Sequence, residues 1–153
     1  MKQSAGLLVF RRKNHLEVLL VHPGGPFYAK KDEGVWSIPK GEYLDEDPLE
    51  AAKKEFTEET GNIIQKGPFI KLEDIKLKSG KRVSAWAVEH DFENSFISSN
   101  TFELEWPPRS GKLKVFPEVD KAEWFSVEDA SRRLNPAQKD FLTQLEFILA
   151  SES

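Results

Sequence analysis

An α/β domain built on a mixed sheet is the fold this sequence predicts, and three observations carry the expectation. Short apolar runs with strand character recur from the N-terminus to about residue 125. Within that stretch only Leu49 to Thr60 has the composition and punctuation of a helix, and two further helical segments close the chain. The turns between several runs are short and polar, as hairpins require, so strands and helices mix within one unit.

Taken in order, Ala5 to Phe10 and Leu16 to Val21 read as two strands joined by the polar turn Arg12-Lys13-Asn14-His15. His22-Pro23-Gly24-Gly25-Pro26 is dense in breakers and predicts a loop running on through Lys30, Lys31 and Asp32. Val35 to Ile38 is expected as a short strand stopped by Pro39. Asp47-Pro48 marks a helix start: an acceptor side chain at the cap, proline in the first turn, and Glu50 three residues after the cap. Good helix formers follow to Thr60, and Gly61-Asn62 is the expected stop. Phe69 to Leu77 and Arg82 to Val88 predict a hairpin across Lys78-Ser79-Gly80-Lys81. Ser95 to Lys114, polar and broken by Pro107-Pro108, is expected as a loop. Val115, Phe116 and Ala122 to Phe125 resume strand character. Helices are expected over Val127 to Leu134 and Pro136 to Leu149, capped by Ser126 and Asn135, with Leu142, Leu145, Phe147 and Ile148 on the apolar face of the second.

The 153 residues, 39% hydrophobic and 31% charged, suit a single globular domain over 1–153. A net charge of −4 argues against a protein that grips a nucleic-acid polymer, yet leaves room for local lysines around one small anion. The absence of cysteine excludes disulfides, thiolate metal sites and thiol nucleophiles. The apolar run Gly6 to Phe10 is too short for a signal peptide or a membrane span, so a cytoplasmic protein is expected.

The helix that begins at Asp47 carries the chemistry. Glu55, Glu58 and Glu59 stand at i, i+3 and i+4, on one face within a single turn, while Leu49, Ala52 and Phe56 share another. Three carboxylates near a helix C-terminus repel one another and oppose the macrodipole, so something must offset them. Lys53 and Lys54 can do part of this, leaving a solvated charged face. A hard divalent cation, Mg2+ or Mn2+, does it better, because carboxylate oxygens suit it and it bridges them to phosphates. The helix alone does not decide between the two.

The residues in front of it point further. Gly41-Glu42-Tyr43-Leu44-Asp45-Glu46, followed after seven intervening residues by Lys54-Glu55-Phe56-Thr57-Glu58-Glu59-Thr60-Gly61, resembles the box of the Nudix hydrolases. That pattern is a glycine, five residues, a glutamate, seven residues, then Arg-Glu-apolar-any-Glu-Glu-any-Gly-apolar. The loop between Gly41 and Glu46 is one residue short, Lys54 replaces the arginine, and Asn62 replaces the final apolar residue. Trp36-Ser37-Ile38-Pro39-Lys40-Gly41 resembles the family's approach to the box, and Glu118 followed by Trp124 its later acidic and aromatic positions. Pro39-Lys40-Gly41-Glu42 is similar to the variant of dinucleoside polyphosphate hydrolases in that family.

The resemblance implies an α/β/α sandwich and metal-dependent cleavage of a diphosphate bond in a small nucleotide-like substrate, with neither membrane nor nucleic-acid polymer as partner. It implies Glu55 and Glu59 as metal ligands, Glu58 as a third ligand or the base, and the Gly41 carbonyl as a further ligand. Glu118 would be a ligand or base from outside the box, with Glu103 and Glu105 its rivals. Lys40 and Lys31 are candidates for phosphate contact, and Tyr28, with Phe27, for stacking on a base. Glu46 is expected to orient Lys54 or the helix start. Trp36, Trp86 and Trp124 are expected in the core, and His15, His22 and His90 receive no role. The other reading is a Nudix-fold binding or sensor module without catalysis; the presence of all three box glutamates favours the enzyme.

Overall fold

A computed structural model describes residues 2–152, and its sheet is built around the first strand. Strand β1 (Gln3–Arg12) has every residue from Ser4 to Phe10 buried, because alternate side chains enter two different cores. Ala5, Leu7 and Val9 face one side, Leu8 and Phe10 the other. The continuous apolar run is thus the signature of a central strand covered on both faces.

The remaining strands are β2 (Leu16–Pro23), β3 (Lys40–Tyr43), β4 (Ile70–Lys71), β5 (Ile75–Lys76), β6 (Arg82–Glu89), β7 (Thr101–Glu105), β8 (Leu113–Pro117) and β9 (Val119–Ser126). The main sheet runs β4-β6-β1-β2-β9, with β3 added on β1 and β5 on β6. The β1–β6 pair is parallel and the others antiparallel, so the sheet is mixed. Helix α1 (Pro48–Thr60) lays Ala51, Ala52 and Phe56 against Ala5, Leu7 and Val9. On the opposite face α2 (Val127–Arg133) and α3 (Lys139–Ala150) cover Leu8 and Phe10 with Ala130, Phe141, Leu142 and Leu145. The result is an α/β/α sandwich. Among the described residues no helix is long and apolar enough to cross a membrane.

One edge of β1 is shared between two partners, and this creates the site. Its C-terminal part pairs with β2 from Phe10 opposite Val18, while Gln3 to Gly6 pair with β3. Where β1 and β2 part, the segment 36–39 enters: Leu7 N–H donates to Pro39 O (3.1 Å), and Val21 and Ser37 exchange two backbone bonds. Buried Gln138 supports this segment from the α2–α3 side, accepting from Ile38 N–H at 2.9 Å. Gly6 permits the approach, since a Cβ there would lie 2.5 Å from Pro39 O.

Several local expectations change. Val35 to Ile38 is not a strand but carries isolated bridges at Trp36 and Ser37, because it crosses a gap. The run Phe69 to Leu77 divides into β4 and β5. Ser95 to Lys114 is not a plain loop: β7 and β8 form a separate hairpin with Phe102 opposite Phe116. Pro136–Gln138 is a 3-10 turn before α3, whose Phe147 is exposed while Phe141 takes the core position. Trp36 is fully buried, Trp86 and Trp124 partly so.

Candidate active site

Helix α1 has the boundaries its sequence dictates. The Asp47 carboxylate accepts from Glu50 N–H at 3.1 Å, Pro48 opens the first turn, and Gly61 ends the helix at φ 82 with its N–H on Thr57 O. The next carbonyls are capped by the segment leading to β7: Asn100 N–H donates to Glu58 O, and Ile97 and Ser98 N–H to Thr60 O. This segment packs tightly on Gly61, where a Cβ would lie 2.8 Å from Ile97 Cβ.

From this helix Glu59 reaches across the gap between β1 and β2. It is 8% exposed, and its carboxylate accepts a hydrogen bond from the Lys40 backbone N–H at the start of β3. Burial first, then the charges of Glu55 and Glu118, push its pKa up to about 8, against the pull of the Lys40 backbone and ammonium. Glu55 lies beside it, half-buried and raised to about 7 by burial, then by Glu58, against the pull of Lys54, with Glu118 and Glu46 adding to the rise. Its carboxylate rests on the backbone of Gly41, close enough that a Cβ there would lie 2.2 Å from its Cδ. Glu58 is partly buried on the same turn.

A cavity of about 160 Å3 opens in the gap, lined by Val21, Pro23, Val35, Ser37, Lys40, Glu59, Glu118 and Val119. Glu118, between β8 and β9, is therefore brought opposite Glu59. Its backbone is fixed by Asn100 O, which accepts its N–H, and by Gly24 N–H, which donates to its carbonyl. The larger depression of about 630 Å3 between 76–79 and 135–137 carries no acid.

The donor set fits a hard divalent cation: oxygen ligands only, with carboxylates whose pKa values stay raised by burial and by one another despite the pull of Lys40 and Lys54. Among the described residues no three acidic or histidine side chains converge, as placed, to enclose an ion alone. Glu55 and Glu59, with the Gly41 backbone against the Glu55 carboxylate, are the residues that could hold such a cation.

Other expected residues fall differently. Lys40 shares its β3 face with Glu42, opposite to Gly41, and its Cβ crowds Gly6. Burial and then Lys81 hold its ammonium below the usual lysine range. It reaches the acidic cluster in two ways, through its backbone N–H on Glu59 and through its ammonium, which draws on Glu59 and Glu55 from the cavity wall. Tyr28 and Lys31 do not line the cavity; they stand on the loop that leaves its rim at Gly24, with the Lys31 ammonium 5.6 Å from the Tyr28 ring. Glu103 and Glu105 lie out on β7, where the Glu105 carboxylate accepts from Arg109 and Gly111 N–H at the hairpin tip. Glu46 does not pair with Lys54: it folds back on its own loop, accepting from Leu44 N–H at 3.0 Å. Lys54 makes no ion pair within 4.0 Å among the described residues, so Lys54→Ala is expected to change kcat by less than about twofold, read in steady-state kinetics at saturating metal.

Two features escaped sequence reasoning. His22 is buried with both ring nitrogens bonded, and the β7–β8 hairpin grows from the cavity rim. Phe102 and Phe116 alternating through a polar stretch was the available signal for the hairpin; for His22 no local signal existed, since Asp120 is 98 residues away.

The comparisons agree with this architecture. A C. elegans Ap4A hydrolase, solved as a binary complex, superposes with a TM-score of 0.69 at 21% identity, covering 97% of this chain and 98% of that one. The NUDIX domain of Shewanella oneidensis NrtR, complexed with ADP ribose, gives 0.66 at 15% identity over 96% and 87%. MutT, from work on Aliivibrio salmonicida and Vibrio cholerae, gives 0.57 at 14% over 94% and 93%. No curated protein matches the chain by sequence. The family model of the NUDIX domain, however, matches residues 1–145, and with the box on α1 in place the chain belongs to the Nudix family of hydrolases.

Proposed function

We propose that this protein hydrolyses a diphosphate bond in a nucleoside diphosphate-linked substrate, with Mg2+ or Mn2+ held by Glu55, Glu59 and the Gly41 carbonyl. The observation that carries the reading is buried Glu59, which shares one small cavity with Glu118 and has half-buried Glu55 beside it, both box carboxylates held well above the usual range. A bound divalent cation neutralises phosphate oxygens and makes a water easier to deprotonate. Glu118, exposed at the cavity mouth, is the residue best placed to accept that proton, and Glu58 supplies further negative charge beside Glu55 or a third ligand.

At about 160 Å3 the cavity is well below the roughly 300 Å3 of the smallest whole-ligand pockets, so it suits the phosphates and not the nucleoside. The base then lies over the rim, where Tyr28 is 41% exposed and Lys31 stands beside it. Dinucleoside polyphosphates lead among the substrates on two supports: the Pro39-Lys40-Gly41-Glu42 variant and the likeness to a C. elegans Ap4A hydrolase. The test is a panel of diadenosine tetraphosphate, ADP-ribose and nucleoside triphosphates with Mg2+ or Mn2+, both products identified. Turnover that vanishes in excess chelator is expected; undiminished turnover there would remove the metal from the reading.

A further inference from the structure

We propose that His22 is a positioning residue that ties the substrate loop and the Glu118 turn to one buried ring, an inference that rests on the reading of Tyr28, Lys31 and Glu118 given under Proposed function. His22 lies near the end of β2 and is 1% exposed. Its Nε2 is 2.7 Å from Lys31 O, in the loop that carries Tyr28, and its Nδ1 is 2.7 Å from Asp120 Oδ1, two residues beyond Glu118. The Trp36 ring packs edge-on against the imidazole at 5.1 Å and fixes its plane. A carbonyl can only accept, so Nε2–H donates to Lys31 O, and Nδ1 shares the second hydrogen bond with the Asp120 carboxyl.

The local irregularity of β9 explains why Asp120 is available. The pairing shifts between His22, opposite Lys121, and Pro23, opposite Val119, so Asp120 is left over as a bulge and aims at His22. The same bulge lets Gly24 N–H reach Glu118 O. The loop is pinned again just past Lys31: Asp32 accepts from Trp36 Nε1 at 2.8 Å and pairs with Arg133. Between Gly24 and Asp32 the His22 bond is therefore the hydrogen-bond tie from the loop to the Glu118 strand, beside the packing of Phe27 on Trp106 at 5.4 Å. One ring nitrogen governs where Tyr28 and Lys31 stand, and the other governs the turn that presents Glu118.

The two ties can be cut separately. An asparagine amide falls near the Nδ1 position and a glutamine amide near the Nε2 position. His22→Asn thus keeps Asp120 and releases Lys31, while His22→Gln keeps Lys31 and releases Asp120. With diadenosine tetraphosphate, ADP-ribose or ATP, whichever the wild type turns over fastest, His22→Asn is expected to raise KM roughly tenfold with kcat within about twofold. His22→Gln is expected to lower kcat roughly tenfold with KM nearly unchanged. Amide exchange should quicken over 25–31 in the first variant and over 118–121 in the second. Where His22→Gln folds poorly, Asp120→Ala cuts the same tie. Equal changes of KM and kcat in both variants, or a lowered melting temperature with kinetics unchanged, would reduce His22 to a packing residue and overturn the proposal. A wild type that turns over none of these nucleotides defeats the hydrolase reading by itself, and the exchange pattern then decides whether the two ties exist.

Discussion

Gly41→Ala is expected to fold as well as the wild type and to lose roughly 100-fold or more of its kcat. The backbone at Gly41 sits in β3 opposite Ala5, outside the left-handed region, and alanine is intrinsically the better strand residue by about 0.5–1 kcal/mol. What the new methyl meets is the end of a side chain: 2.2 Å to Glu55 Cδ and Oε2, 2.6 Å to Oε1. Glu55 can escape by turning outward, so stability survives. Its carboxylate then moves by at least about 1 Å, a displacement that costs a reacting geometry about 100-fold. A melting temperature within a degree or two of wild type together with collapsed turnover is the predicted pattern. Retained turnover would show that neither the Glu55 carboxylate nor the close Gly41 backbone takes part.

Glu59→Gln is expected to remove turnover by a similar or larger factor while raising the stability of the metal-free protein at alkaline pH. The amide oxygen still accepts from the Lys40 N–H, but the buried charge is gone. The sign follows from linkage. A carboxyl raised from 4.5 to about 8 binds its proton more tightly folded than unfolded. Its stabilising effect is therefore complete below pH 4.5 and is lost as pH climbs through about 8. At pH 5 the wild type and Glu59→Gln should melt together; at pH 8.5 in chelator the variant should melt several degrees higher, at about 2–4 °C per kcal/mol for a chain of this size. Saturating Mg2+ should close or reverse that gap, since it stabilises only the ionised wild type. A variant that melts well below wild type at pH 8.5 in chelator would make Glu59 a structural residue.

These results also bear on what the sequence could disclose. Helix α1 was legible to within a residue because its signals are local: an Asp47 cap, Pro48, and Gly61 at the stop. The acidic face was equally legible, since i, i+3, i+4 spacing needs nothing but a helix. Strand β3 was not, because Lys-Gly-Glu-Tyr carries no apolar alternation and becomes a strand only by pairing with residues 3–6 of β1. The place of Lys40 was hidden by that omission: only the pairing of β3 sets Gly41 against Glu55 and puts Lys40 in the cavity wall with Glu59 and Glu118. His22 was invisible for the same reason at longer range, its acceptors lying 9 and 98 residues away.

The hairpin's attachment has a consequence for how such a protein can diversify. β7 and β8 join the body through Asn100 and Glu118, whose backbones are bonded to each other, to the end of α1 and to Gly24, while residues 101–117 form their own two-stranded sheet outside the main one. Lengthening, shortening or exchanging that arm leaves both cores and the acidic helix face untouched, because neither core draws a residue from it. The arm is thus a replaceable part mounted beside a fixed reaction centre, and a lineage could retune what it admits to that centre without risking the fold that holds the carboxylates in place.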